Sequence, residues 1–198
     1  MGSMKNVLLL VVAAAFALVV AYTQWSHLST LSEKERLTAM SGFPIVGQMA
    51  PGFSLPDLAG GAGDLADYAG RPVVIDFWTT WCGLCVKEFP VFQEFHRVYG
   101  DRIGFLSICS GSSDKRAAEM RAANGISFPV LYDGEKVVAR AYQPPADRKD
   151  RQVSLFPFAA FIDATGKVVY AKAGIFHSLD ELVSLLRRLD FPVDAPPS

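Results

Sequence analysis

Val73-Val74-Ile75-Asp76-Phe77-Trp78-Thr79-Thr80-Trp81-Cys82-Gly83-Leu84-Cys85 is the stretch that decides how this chain is read. Its first half is β-branched and aromatic, the composition of a buried strand. Beyond it, from Glu88 to His96, Phe89, Phe92 and Phe95 recur at helical spacing. Two cysteines therefore sit where a strand gives way to a helix, Cys82 at the helix start and Cys85 one turn in. A thiol at a helix N-terminus lies beside unpaired N–H groups and the positive end of the helix dipole, and both favour thiolate. The spacing also lets the two sulfurs close into a small disulfide ring without moving the backbone. That is the pattern of redox chemistry.

Two blander readings of the pair are weaker. A structural zinc site needs four ligands. Beyond the pair the chain offers Cys109, His27, His96 and His177, none at ligand spacing from another. A purely structural bridge closing so short a loop would restrain little of the unfolded chain. Three cysteines are too few for a disulfide scaffold and suit a redox pair plus one spare thiol. With 19 Lys and Arg against 20 Asp and Glu, nothing favours a nucleic-acid partner. No metal or organic cofactor is predicted, and 198 residues fit one domain with additions.

The segment Asp76-Phe77-Trp78-Thr79-Thr80-Trp81-Cys82-Gly83-Leu84-Cys85 resembles the active-site segment of thioredoxins. Ala50-Pro51-Gly52-Phe53-Ser54-Leu55-Pro56-Asp57-Leu58 upstream and Cys85-Val86-Lys87-Glu88-Phe89-Pro90 downstream narrow the likeness. They resemble the membrane-tethered TlpA/ResA-like branch, which includes the cytochrome c maturation thioredoxins. The likeness runs from Ala50 to Leu189. It implies an α/β, thioredoxin-like fold: a central mixed β-sheet flanked by helices, with an N-terminal β-hairpin and a central βα insertion.

Along the chain, residues 1–25 read as a signal anchor or transmembrane segment, with 1–3 a cloning scar before Met4. An unbroken apolar run from Val7 to Tyr22 reaches spanning length when counted on to Trp25. Lys5 before the run, and no Lys or Arg again until Lys34, put the N-terminus inside. The catalytic part is then extracytoplasmic (the periplasmic side), anchored to the inner membrane. Cleavage at Val19-Val20-Ala21, leaving a soluble periplasmic protein, is the alternative. Residues 26–49 read as a tether, partly helical around Glu33 to Met40, 50–192 as the thioredoxin-like domain and 193–198 as a tail. Gly60-Gly61-Ala62-Gly63 marks a hairpin. Strands are expected at Ile103 to Cys109 and Phe128 to Tyr132, and helices from Ser113 or Asp114 to Ala123 and over Glu135 to Tyr142. Residues 143–152 form a charged surface loop, and a second hairpin turns at Ala164-Thr165-Gly166-Lys167. Ser178-Leu179-Asp180-Glu181 is a capping box opening a last helix, which Pro192 ends.

Within that frame Cys82 is the expected nucleophile and Cys85 the thiol that resolves the mixed disulfide. A buried Cys85 needs a proton acceptor. Asp76, among apolar strand residues, carries a desolvation cost that structure alone would avoid, and it matches the buried acid of thioredoxin. Glu88, one turn beyond Cys85, matches the active-site Glu of the ResA-like branch. Carrying both acids departs from either pattern. Pro157 is the candidate cis-proline facing the C-x-x-C, with Pro129 the competing choice. Phe156 and Trp81 complete the expected substrate-binding set with Pro157, Trp81 shielding Cys82. Cys109, on a buried-looking strand, reads as an inert core thiol. Gly83-Leu84 departs from the commoner Gly-Pro, Glu-Pro or Pro-Pro, which leaves the direction of electron flow open.

The expected function is an extracytoplasmic thiol-disulfide oxidoreductase that reduces specific targets, such as apocytochrome c or copper-site cysteines. Its implied partners are proteins bearing cysteine pairs, a membrane thiol-disulfide electron donor, and the membrane itself. Two alternatives remain, because fold does not fix function. One is a thiol peroxidase, since Thr79-x-x-Cys82 weakly resembles the peroxiredoxin pattern, although Ile75 stands where that pattern wants proline. The other is a non-catalytic chaperone or assembly module.

Overall fold

The computed structural model describes residues 2–30, 32–143 and 155–194. Helix α1 (Gly2–Thr30) and helix α2 (Glu33–Met40) precede a hairpin of β1 (Ser54–Pro56) and β2 (Ala62–Asp64). A 3₁₀ turn (Leu65–Tyr68) leads into β3 (Val73–Trp78), α3 (Gly83–Tyr99), β4 (Gly104–Ser110), α4 (Asp114–Ala123), β5 (Val130–Asp133) and α5 (Val137–Tyr142). The hairpin of β6 (Phe158–Ile162) and β7 (Val168–Ala173) and helix α6 (Leu179–Arg188) complete the chain.

Five strands form one mixed sheet in the order β5-β4-β3-β6-β7. β3 pairs in parallel with β4 and antiparallel with β6. All six residues of β3 are buried, as a central strand covered on both faces requires. Alternation divides them between two cores. Val74 and Trp78 pack with Phe89, Phe92 and Phe95 of α3 and Leu182 and Leu186 of α6. Val73, Ile75 and Phe77 pack on the other side with Val138, Ala139 and Tyr142 of α5. The arrangement is the mixed sheet, N-terminal hairpin and βα insertion (α4, β5, α5) that the family likeness implies.

Helix α3 starts earlier than apolar spacing alone suggests and contains Pro90, whose missing N–H leaves the Val86 carbonyl without its intrahelical donor. The segment read as a tether is folded against the domain from Glu33 onward. α2 begins with a complete capping box between Ser32 and Glu35. Thr38 donates its hydroxyl to the Val169 carbonyl at 2.8 Å. Arg188 donates to Glu33 at 2.6 Å. Ile45 is buried, Phe43 packs edge-on to Phe158, and the N–H groups of Gly47 and Ala50 bond the carbonyls of Val168 and Gly166.

The capping box expected at Ser178 is only half made. Ser178 accepts the Glu181 N–H, but the Glu181 carboxylate turns instead to the His177 N–H and to Lys172. In the expected tail, Val193 is buried and Asp194 pairs with Arg187. The expected charged loop over 143–152 falls, apart from Gln143, outside the described residues. Gln143 lies at its base, where its side-chain amide both donates to and accepts from the Leu155 backbone.

Among the described residues no helix is long and apolar enough to cross a membrane. The described apolar side chains of α1 from Leu9 to Tyr22, including Phe16 and Leu18, are exposed. The side chains of Lys5 and Trp25, on which the anchor reading leaned, lie outside the described set.

Candidate active site at the N-terminus of helix α3

Strand β3, central in the sheet, ends at Trp78, and the turn Thr79–Trp81 hands the chain to α3. That turn is fastened from below. Ser112 accepts the Thr80 N–H at 3.1 Å and its hydroxyl lies 3.0 and 2.9 Å from those of Thr79 and Thr80. Tyr132 donates to the Ser112 carbonyl at 2.9 Å. Ser112 was not expected from the sequence, since a lone serine after a strand carries no signal of such a role.

Cys82 is the N-cap of α3, and its sulfur accepts the Cys85 N–H at 3.1 Å. The two cysteines form a disulfide with an S–S distance of 2.08 Å. Cys82 is 8% exposed and Cys85 1%, so the first sulfur is the one solvent or a substrate reaches. A thiolate formed at Cys82 would meet the unpaired N–H groups and positive dipole end of a 17-residue helix.

Around this sulfur the surface is apolar. Trp81 is 66% exposed and Leu84 52% exposed, a presentation that folding alone does not favour. Trp81 stands edge-on to Phe156 with ring centroids 5.9 Å apart. The Phe156–Pro157 peptide is cis, and Pro157 is buried. A cleft of about 460 Å³ opens beside Trp81, lined by Thr80, Arg116, Glu119, Met120 and Ala123. The structure thus brings Trp81 and Phe156 together beside the disulfide, with Pro157 adjoining. Trp81 is more open than a shield for Cys82 would be.

Both carboxyls lie inside, on one side of the sheet. Glu88 is 2% exposed and on the buried stripe of α3 that also carries Cys85, Phe89 and Phe92. It is no solvated helix glutamate. Its Oε1 accepts the Phe176 N–H at 2.7 Å. Burial pushes its carboxyl up to about 7, opposed by the Phe176 amide and by Lys172, while Glu181 adds to the rise. Asp76 is also 2% exposed and, by strand alternation, shares the face of Val74 and Trp78. Ser107 donates its hydroxyl to Asp76 at 3.3 Å and itself accepts the Trp78 indole N–H at 2.9 Å. Burial first, and then the negative charge of Glu88, raise the Asp76 carboxyl well above its ordinary range, against the pull of Ser107. Phe176 and Lys172, in and beside the loop after β7, were not foreseen; nothing in Gly174-Ile175-Phe176-His177 signals contact with a residue so distant in the chain.

Cys109 is the penultimate residue of β4, fully buried and unbonded to another cysteine. Burial pushes its thiol up to about 12. Among the described residues no group of His, Cys, Asp and Glu is arranged to hold a metal ion.

The comparisons with known proteins agree with this geometry. A family model described as Redoxin matches residues 45–186. The chain is 30% identical to the thioredoxin-like protein YneN of Bacillus subtilis, over 76% of this chain and 81% of that protein. It is 32% identical to the thiol-disulfide oxidoreductase ResA of Geobacillus thermodenitrificans, over 83% of each. Among solved structures, a thiol:disulfide interchange protein of the thioredoxin family from Chlorobium tepidum superimposes with a TM-score of 0.59 at 22% identity, covering 71% of this chain and 92% of that one. At that identity the last likeness speaks for the fold.

Proposed function

Since this chain belongs to the TlpA/ResA-like thioredoxin family and is a thiol-disulfide oxidoreductase, we propose that its site works as a two-electron reductant of selected protein disulfides outside the cytoplasm. The observation that carries the reading is the Cys82–Cys85 disulfide at the mouth of α3 with the buried Glu88 carboxyl one turn behind it.

In the reduced protein the Cys82 thiolate attacks one sulfur of a substrate disulfide. A Cys82–substrate bond forms, and the substrate's other sulfur leaves as thiolate and takes up a proton. Cys85 then loses its proton to Glu88, and its thiolate attacks the Cys82 sulfur. The mixed disulfide breaks, the second substrate sulfur departs as thiolate, and the Cys82–Cys85 bond closes. Two electrons pass to the substrate, and an external dithiol must return them.

Glu88 is the better acceptor of the two acids. Its affinity for a proton is poised near neutral pH, where a general base is most effective. Burial first, and then the charge of Glu88, raise the Asp76 carboxyl well above its ordinary range, so its charged form is the costlier of the two to reach. Trp81, Phe156 and the cis Pro157 form the apolar rim against which the substrate peptide lies.

The exposed apolar side chains of α1 support attachment to a membrane, and Lys5 before the apolar run, with no Lys or Arg again until Lys34, supports a site on its periplasmic side. A membrane dithiol protein is then the natural electron donor. Apocytochrome c haem-site cysteines and copper-site cysteines are the target classes that fit a reductant placed there. The test is Cys85→Ser, which cannot resolve the first intermediate. Expressed in its native host, it accumulates mixed disulfides through Cys82 that non-reducing gels display and mass spectrometry identifies. Absence of any Cys82-linked species would remove the reading.

A further inference from the structure

The loop Gly174–His177 joins the two halves of the site. Gly174 donates its N–H to the carbonyl of the cis Pro157 at 2.9 Å. Two residues on, the Phe176 N–H reaches Glu88 at 2.7 Å. The peptide group carrying that N–H also carries the Ile175 carbonyl, and this oxygen accepts a hydrogen bond from the Lys172 ammonium at 2.7 Å. Lys172 is itself fixed on two further sides. Its Nζ lies 3.8 Å from the centre of the Phe176 ring and 2.9 Å from the Glu181 carboxylate. Glu181 in turn takes the His177 N–H at 2.9 Å. The result is a continuous line of bonds: Glu181 to Lys172, Lys172 to one end of a single peptide group, and the other end of that group to Glu88.

We infer that Lys172 is a positioning residue for Glu88, its ammonium orienting and polarising the Ile175–Phe176 peptide so that the amide donates more strongly to the buried carboxylate. This rests on the proposed role of Glu88 as proton acceptor for Cys85. A cation on the carbonyl end of an amide draws electron density from the nitrogen and makes its N–H a better donor, and bonds in such a chain strengthen one another in a low-dielectric setting. The anchoring also restrains the loop, so the amide is held ready rather than found by search. Without Lys172 a buried carboxylate would rely on a neutral amide alone, and a charge so placed is expensive to hold.

The groups bearing on Glu88 come from every element around it. Cys85 stands one turn before it on α3, Asp76 faces it from β3, Lys172 lies on β7 and Glu181 on α6. Lys172 and Glu181 act on it with opposite signs, Lys172 lowering and Glu181 raising its proton affinity. That opposition separates the relay from a general loosening of the loop.

The full chain, oxidised and labelled at glutamate carboxyls, is titrated by NMR while the Phe176 amide proton is followed in the same samples. Lys172→Met keeps the stem and removes the charge. It is expected to move the Glu88 midpoint upward by about 0.5–1 unit and to weaken the Phe176 amide hydrogen bond. Lys172→Arg restores both towards wild type, and Glu181→Gln moves the midpoint the other way. A Glu88 midpoint and Phe176 amide shift unchanged in Lys172→Met would overturn the inference, as would equal upward shifts in Lys172→Met and Glu181→Gln. The proton-acceptor reading is tested separately, by the exchange rate of Glu88→Gln. If that rate is normal while Lys172→Met still shifts Glu88, the acceptor role falls and the relay stands.

Discussion

Cys85 and Cys109 are about equally hidden from solvent, yet one belongs to the reactive centre and the other does not. Cys85 lies in the first turn of α3, bonded to Cys82 and on the same helix face as an ionisable carboxyl. Cys109 sits in the ladder near the end of β4, paired with Trp78 on one side and Tyr132 on the other. Its thiol is pushed up to about 12 mainly by burial, which a hydrogen bond with Ser112 only partly offsets and to which Asp76 and Asp133 add. Burial by itself makes a thiol inert. A helix terminus and a proton acceptor are what convert a hidden sulfur into a chemical one.

The sharpest way to break that comparison is to remove one thiol from each region. Cys82→Ala is expected to lower disulfide exchange by about 10³-fold or more, measured as insulin reduction, because the attacking sulfur is gone. Cys109→Ala should leave the rate within about twofold and cost only some stability through the small cavity it opens. Comparable rate losses in both variants would erase the distinction. A milder probe uses iodoacetamide on the reduced, folded protein. Cys82 should alkylate rapidly at neutral pH and Cys109 only after denaturation, read by peptide mass mapping.

Much of this contrast is legible in the sequence, and the reasons differ from element to element. β3 declares itself because a strand buried on both faces reads as a near-continuous apolar run, and Asp76 stands out as the one polar residue among its six. The C-x-x-C is placed by the boundary between that run and the phenylalanine spacing of α3. The cis Phe156–Pro157 bond follows from family likeness together with element order, since Pro157 rather than Pro129 is followed by the strand, turn and strand that the fold expects. What stayed hidden depends on contacts between distant residues. The part of the 26–49 tether from Glu33 onward reads as polar and unpacked because its partners, Val169, Asp163, Phe158 and Arg188, lie far along the chain. The half-made cap at Ser178 has the same cause, as Lys172 draws the Glu181 side chain away from the position that local spacing predicts.

The two acids offer a finer version of the comparison. Glu88→Gln should slow exchange near neutral pH by roughly tenfold, because the proton acceptor for Cys85 is lost. Asp76→Asn should slow it by about twofold, since burial and the Glu88 charge already raise its carboxyl well above the ordinary range and disfavour the charged form that the amide removes. Reversal of that order, in stopped-flow rates against a model disulfide, would transfer the acceptor role to Asp76.

The buried acid also leaves a mark on stability. Between 4.5, the ordinary value for a glutamate, and about 7, the folded chain retains a proton on Glu88 that the unfolded chain has released. Folding stability therefore falls as pH rises through that window, and the loss persists above it. Glu88→Gln abolishes this loss, so above neutral pH the oxidised variant should exceed wild type by roughly 3 kcal/mol, with the advantage shrinking in acid. Denaturant titrations at paired pH values measure it, and an advantage independent of pH would contradict the assignment.

The reduction potential of the Cys82–Cys85 pair tests the central claim most directly. Equilibration of the full chain with defined glutathione or dithiothreitol mixtures measures it, with Cys109→Ala as background to remove the spare thiol. A value at or below about −250 mV, near that of thioredoxin, is expected for a reductant that draws electrons from a membrane dithiol. A value near −120 mV, in the range of strong oxidants, would mean that the pair forms or shuffles disulfides, and the reductase account would fall.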